Sequence, residues 1–313
     1  MRGRSMITII GSGKVGVSVA IQVVTREIDD LTLIDVVKGL PQGEAMDLRH
    51  MASAQGANVR IEGSNDYDKM RGSDLIVITA GFGRKPGQTR LDLLKQNAGI
   101  VGAIAKEISK YAPKAKVLVV TNPLDPMAYL IYKVTGFERE RVFGMSGLLD
   151  SARFTDFIVQ ELNVAYESVQ SMVIGEHGES MVPLPRYTTI NGVPLTDLLK
   201  PEQIDQLVDN TRKIAIEVIS LKGATIHGPG ACVAKMIECV VRDKKTLLPA
   251  SVHLEGEYGV KDLFVGAPII LGGEGVERIM ELEMDEAERD MFLKGVQSLR
   301  DATESLKTFI TPR

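Results

Sequence analysis

Three glycines within six residues, Gly11-Ser12-Gly13-Lys14-Val15-Gly16, separate the apolar run Met6 to Ile10 from the largely apolar stretch Val15 to Val24. A short apolar run, a glycine turn and a helical pattern together read as a strand, a tight turn and a crossover helix buried against a sheet. In that setting each glycine of G-x-G-x-x-G has its own task. The first permits the turn, the second lets a pyrophosphate approach the backbone, and the third lets the helix pack close to the strand. The helix N-terminus favours the anion. The pattern by itself recurs by chance and in flavin and other nucleotide binders. Asp35 narrows it, 19 residues after Gly16 at the end of the strand expected over Leu31 to Val36. A carboxylate there accepts hydrogen bonds from ribose hydroxyls and repels a 2′-phosphate, which favours NAD over NADP.

The same alternation continues along the chain. Further strands are expected at Val59 to Ile61, Asp74 to Thr79, Lys116 to Thr121 and Arg141 to Phe143, with helices at about 91–110 and 126–135, the latter closed by Gly136. Strands alternating with helices imply a parallel sheet with right-handed crossovers, so the fold class is α/β, a doubly wound sheet of the Rossmann type. After about residue 145 the pattern changes. Helices are expected at Leu148 to Leu162, about 202–222 behind Pro201, about 230–242, and Asp285 to Leu306. Strands are expected at Val169 to Ile174, Ser251 to Leu254, Leu263 to Val265 and Pro268 to Leu271, with a hairpin turn at Asn191-Gly192. A dinucleotide-binding domain over 1–145 and an α+β substrate domain over 146–313 follow, packed closely because no Pro/Ser-rich linker divides them.

Composition removes several function classes. A formal net charge of −4 argues against a general nucleic-acid binder, and the absence of Trp argues against aromatic stacking platforms. No apolar run approaches the roughly 20 residues a membrane span needs, and neither a membrane partner nor a signal peptide is expected. Cys232 and Cys239 lie two turns apart on one expected helix and read as buried free thiols, consistent with a reducing, cytoplasmic location.

The chemistry centres on Gly175-Glu176-His177-Gly178. Glycines on both sides leave the backbone open to a ligand, and the preceding strand leads His177 out of the sheet, where active-site loops lie. His50, His227 and His253 have no such setting and read as structural. Asp150 is the candidate partner, a carboxylate that accepts the second ring N–H and stabilises the imidazolium. Arg153, three residues on, shares its helix face and can take a carboxylate through two parallel bonds. Arg84 and Arg90 lie in and just after a Gly/Pro-punctuated segment that suits a lid. Asn122 ends a strand before Pro123, where carboxyl-end loops of a parallel sheet meet ligand.

Arg84-Lys85-Pro86-Gly87-Gln88-Thr89-Arg90, Thr121-Asn122-Pro123-Leu124-Asp125, Leu149-Asp150-Ser151-Ala152-Arg153 and Gly175-Glu176-His177-Gly178, taken with the glycine turn, give the chain its likeness. It resembles the lactate/malate dehydrogenase family, specifically the lactate-dehydrogenase-like malate dehydrogenases, over nearly its whole length. The resemblance implies that His177 is the general acid/base, oriented by Asp150. It implies that Arg153 clamps the C1 carboxylate and Arg90 polarises the carbonyl. Asn122 would lie near the nicotinamide, and Thr225 would wall the substrate pocket. Lys14, Val15, Thr79, Ala80, Gly81, Asn97 and Thr121 would join Gly11, Gly13, Gly16, Asp35 and Asn122 around NAD. A homo-oligomer, tetramer or dimer, and a place in the tricarboxylic acid cycle are implied in the same way.

Arg84 bears on the substrate. Lactate-specific relatives carry a neutral residue at the matching position and malate-specific ones an arginine. Oxaloacetate brings a second carboxylate into a poorly hydrated pocket, where an unpaired charge is expensive and Arg84 would pair with it. Pyruvate would leave the guanidinium unpaired, so discrimination of about 10³-fold is expected. The expectation is therefore an NAD-dependent malate dehydrogenase. Lactate or another 2-hydroxy acid dehydrogenase is the alternative, and a non-catalytic NAD binder is the reading from a different class. Thr225-Ile226-His227-Gly228-Pro229 departs from the family's usual wording, and His227 would add a positive wall there.

Overall fold

In the computed structural model, which describes residues 6–83 and 89–310 with only the backbone of Arg90, the glycine turn joins β1 (Met6–Ile10) to α1 (Lys14–Thr25). Then come β2 (Asp30–Ile34), α2 (Leu40–Gln55), β3 (Ile61–Ser64), β4 (Leu75–Ile78) and α3 (Arg90–Tyr111). β5 (Lys116–Val119), α4 (Leu124–Thr135) and β6 (Val142–Gly144) complete this half. Its six strands are parallel, in the order β3-β2-β1-β4-β5-β6. This is the doubly wound sheet that the alternating pattern implies. The winding reverses between β1 and β4, and ligands of such sheets sit in the crevice outside the strands' carboxyl ends there.

The second half contains α5 (Gly147–Leu162), β7 (Val169–Gln170), β8 (Val173–Gly175), β9 (Met181–Pro183), β10 (Thr189–Ile190) and β11 (Val193–Pro194). It continues through α6 (Leu195–Leu198), α7 (Pro201–Lys222), α8 (His227–Val241), β12 (Thr246–Glu255), β13 (Lys261–Gly272), β14 (Gly275–Ile279) and α9 (Glu286–Glu304). The main sheet runs on from β6 through β12, β13, β8 and β9, now antiparallel, with β14 on β13. Its seam is the pairing of Ser251 on β12 with Gly144 on β6. Small residues hold this part of the sheet closely packed. A Cβ at Gly266 would lie 2.5 Å from the Gly175 carbonyl oxygen, and one at Gly144 would lie 2.5 Å from Leu124.

Both faces of the parallel strands are covered. Ile7, Ile9, Leu31, Leu33, Leu75 and Val77 belong to the core that includes buried residues of α1, α2 and α8. Ile10, Ile76, Ile78, Val117 and Val119 face the other way, in the core with residues of α3 and α4. Burial on both faces is why these strands read as nearly unbroken apolar runs.

β9, α6 and β14 have no counterpart in the sequence expectation, and β3 begins at Ile61, where the expected strand ends; three further elements differ from that expectation. α2 is absent from it, because its buried residues are only Pro41, Ala45, Leu48 and Ala52, too small and sparse to show an apolar stripe. The single strand expected over Val169 to Ile174 is two, β7 in a small sheet with β10 and β8 in the main one. At the break the Ser171 hydroxyl lies 2.9 Å from the Ser151 carbonyl and 2.8 Å from Thr155 Oγ1, both on α5. The two strands expected around Pro268 are one, β13. Pro268 faces Pro249 across β12 and β13, and its carbonyl accepts from Met280 N at 2.8 Å on the other side. That is a non-hydrogen-bonded position between β12 and β13, where a missing N–H interrupts nothing. The hairpin turn is as expected, with Asn191 at φ 47° and Gly192 at φ 87°. Among the described residues no helix is long and apolar enough to cross a membrane.

Candidate active site

The glycine turn shows what each glycine is needed for. A Cβ on Gly16 would sit 1.9 Å from the Gly11 carbonyl oxygen, and one on Gly11 would sit 2.5 Å from Ala80 N. Both requirements come from the protein itself. Gly13 meets nothing within 4 Å, and it caps the N-terminus of α1 with Lys14 and Val15 following. Open space beside a helix N-terminus, kept clear of a side chain, fits the pyrophosphate of a dinucleotide. Asp35, just past β2, accepts from Ser12 N at 2.7 Å and Val37 N at 2.9 Å, and its oxygens keep further lone pairs for a ribose.

Three residues expected around the cofactor brace the loops from behind. Thr79 Oγ1 donates to the Gly11 carbonyl at 2.8 Å, and Thr121 Oγ1 to that of Ala80 at 2.8 Å. Asn97 is fully buried; it accepts from Phe82 N at 2.9 Å and donates to the carbonyls of Phe82 at 3.0 Å and Asn122 at 2.6 Å. Gly81 is packed on Thr121, where a Cβ would lie 2.6 Å from Cγ2. The side chains of Thr79, Thr121 and Asn97 thus fix the main chain that surrounds the crevice.

His177 stands just beyond β8, on the loop that leaves the main sheet. Its Nδ1 lies 2.7 Å from Asp150 Oδ2, and Arg153 Nη1 donates to Asp150 Oδ1 at 2.8 Å. α5 presents both partners because three residues make nearly one turn. The Asp150 side chain is 2% exposed and that of His177 10%. Behind them the His177 main-chain N–H donates to Asp125 Oδ2 at 3.0 Å, and Ser251 Oγ donates to Asp125 Oδ1 at 2.5 Å. Burial opposes a charge on the imidazole, but the facing Asp150 carboxylate outweighs it and holds the His177 pKa above its ordinary value. Burial pushes the Asp125 carboxyl up to about 6. With Nδ1 engaged by a carboxylate, Nε2 is the nitrogen left for a ligand.

A cavity of about 270 Å³ brings the two halves together: Val15 and Asn122 come from the first, and Asp150, Arg153, His177 and Thr225 from the second. A second, of about 490 Å³, lies between Asn122 and His177 on one side and Leu91, Leu94, Ser298 and Leu299 of α3 and α9 on the other. His227 is exposed at the first position of α8 and does not line either cavity. Arg84 lies outside the described residues. Arg90 opens α3, and its side chain lies outside them too. His253, read from sequence as structural, is buried with Nε2 3.0 Å from Asp262 Oδ1. Both cysteines are free and buried, and burial pushes the Cys232 thiol up to about 12.

Sequence reasoning missed Arg212 and Asp125. Arg212 lines the smaller cavity with Ile216 and Ile219 of α7. Its guanidinium reaches the Met181 carbonyl only at 3.4 Å and Asp209 only at 3.7 Å, and burial lowers its pKa. The spacing of 212, 216 and 219 along an expected helix was a readable face, but no motif pointed to it. Asp125 closes the segment Thr121-Asn122-Pro123-Leu124-Asp125, where nothing in the spacing marks it off from an ordinary acid in the first turn of a helix.

Residues 5–144 match the NAD-binding domain of lactate/malate dehydrogenases, and residues 148–310 match the alpha/beta C-terminal domain of the same family. The malate dehydrogenase of Pyrobaculum aerophilum is 48% identical over 303 residues, 96% of this chain and 98% of that one. That of Halalkalibacterium halodurans is 43% identical over 307 residues, 97% and 98% of the respective chains. The solved malate dehydrogenase of Aeropyrum pernix superposes with a TM-score of 0.94 at 44% identity, covering 98% of this chain and all (100%) of that one. A Cryptosporidium parvum lactate dehydrogenase solved with lactic acid and NAD also reaches 0.94, at 36% identity and covering 100% of both chains. Matched through both halves, which meet at His177, this chain belongs to the lactate/malate dehydrogenase family and carries that family's NAD-binding domain in its first half.

Proposed function

We propose that this protein is an NAD-dependent malate dehydrogenase, interconverting malate and oxaloacetate with His177 as general acid/base. The observation that carries the reading is the Arg153–Asp150–His177 chain opening into the cavity that Val15 and Asn122 also line. When bound in the cradle, NAD supplies the hydride chemistry at C2 of the substrate. His177 Nε2 gives a proton to the substrate oxygen in reduction and takes it back in oxidation. Asp150 holds Nδ1–H, which fixes the tautomer and stabilises the charged ring. Arg153 spends one N–H on Asp150 and keeps the rest of its fork for the C1 carboxylate. Arg90 polarises the carbonyl, and Arg84 pairs with the second carboxylate. Asn122 adjoins the reacting oxygen and Thr225 closes the pocket wall.

Gly11, Gly13, Lys14, Val15 and Gly16 form the cradle with Asp35, braced by Thr79, Ala80, Gly81, Asn97 and Thr121. Residues 1–145 thus serve the dinucleotide and 146–313 the substrate. A cytoplasmic homotetramer or homodimer of the tricarboxylic acid cycle completes the proposal. Its test is one set of assays crossing NADH and NADPH with oxaloacetate, pyruvate and longer 2-keto acids. NADH with oxaloacetate is expected to dominate. Faster turnover of pyruvate would make the protein a lactate dehydrogenase, and no turnover with any keto acid would leave a non-catalytic NAD binder.

A further inference from the structure

We propose that Asp125 is a positioning residue for this reaction, a second carboxylate that anchors the main chain of His177 and strengthens the hold of its ring on a proton. The inference rests on reading His177 as the acid/base. Asp125 is the second residue of α4 and is 2% exposed, yet among the described residues no lysine or arginine pairs with it. A buried carboxylate without a cation is costly, so its retention needs a reason beyond packing. Two donors hold it, one on each oxygen: Ser251 Oγ from β12, and the main-chain N–H of His177. An asparagine could accept the His177 N–H through its amide oxygen and donate from its NH2 to Ser251 Oγ. What a carboxylate adds is negative charge next to an imidazole that must take up a proton.

The other charged groups around the ring are of both signs. α5 contributes Asp150 and Arg153, the ring's own loop contributes Glu176 and Glu179, and α7 contributes Arg212 across the smaller cavity. α9 adds Asp301 across the larger one. Arg153 works against protonation of His177, and Asp125 offsets it. Because Asp125 sits on the first half of the chain while Asp150 and His177 sit on the second, the charge is set by the packing of the halves.

The test is the pH dependence of kcat/KM in both directions for Asp125→Asn. Its fall with rising pH for oxaloacetate reduction is expected to move to lower pH by about 0.5–1 unit, with the rise for malate oxidation moving likewise. Well above the His177 pKa, reduction should drop by about 3- to 10-fold, and by less at neutral pH. Ser251→Ala serves if the first variant does not fold. It removes a bond to the charged form, so Asp125 carries less charge near neutrality and both limbs move the same way by less. Slower turnover with unmoved limbs, in either variant, would reduce Asp125 to a packing residue and overturn the inference. Wild-type protein without oxaloacetate activity would instead overturn the functional reading itself.

Discussion

The two halves of this molecule build their sites from different materials. The first uses main chain: a glycine turn, the N-terminus of α1, and side chains such as Thr79 and Asn97 that fix carbonyls in place. The second uses side chains brought from far apart, with Asp150 and Arg153 on α5 and His177 after β8, backed by Ser251 on β12 and by Asp125, which the first half lends from α4. A site of backbone is encoded locally and is damaged by adding atoms. A site of converging side chains is encoded by packing and is damaged by removing a charge or a proton.

If that contrast is right, the largest effect comes from the second half. His177→Gln should lower kcat for oxaloacetate reduction by about 10²- to 10⁴-fold, measured by steady-state kinetics, with NADH affinity by fluorescence titration nearly unchanged. A parallel loss of NADH binding would break the division of labour. Next comes Arg84→Gln, expected to change the ratio of oxaloacetate to pyruvate kcat/KM by about 10³-fold toward pyruvate. An unchanged ratio removes the role given to Arg84.

The glycines test the first half. Gly16→Ala should destabilise the fold by about 1–3 kcal/mol, because its Cβ would meet the Gly11 carbonyl at 1.9 Å. Gly13→Ala should cost less than about 1 kcal/mol while weakening NADH binding at least about tenfold, or about 1.4 kcal/mol. Thermal melts with and without NADH separate the two, and equal behaviour would show that the open space at Gly13 is not used. The smallest effect is in pH. The His177 pKa lies above its ordinary value, so the reaction that needs the charged ring should stay fast through pH 6.5 and fall only at higher pH. Malate oxidation should rise through the same interval, while NADH affinity stays flat.

How far the sequence could be read follows the same contrast. The parallel sheet, the glycine turn and Asp35 are legible because strand period and turn chemistry are local. The pairing of Asp150 with Arg153 is legible from helical spacing, and its approach to His177 only through resemblance, since 27 residues separate them. Asp125 and Arg212 were missed for a physical reason. Their importance lies in what faces them across the fold, which spacing along a chain does not carry. The split of β7 from β8, with Ser171 turned onto α5, was hidden likewise, because the partners of Ser171 lie 16 and 20 residues back along the chain.

The pairing of Ser251 with Gly144 has one more consequence. The same serine whose main chain stitches the antiparallel strands to the parallel ones also reaches, through its hydroxyl, the carboxylate under the histidine loop. One residue therefore joins the two halves twice, once through the strand ladder and once through the support of the site. The alignment of the imidazole is thereby written into strand pairing as much as into the side chains beside it.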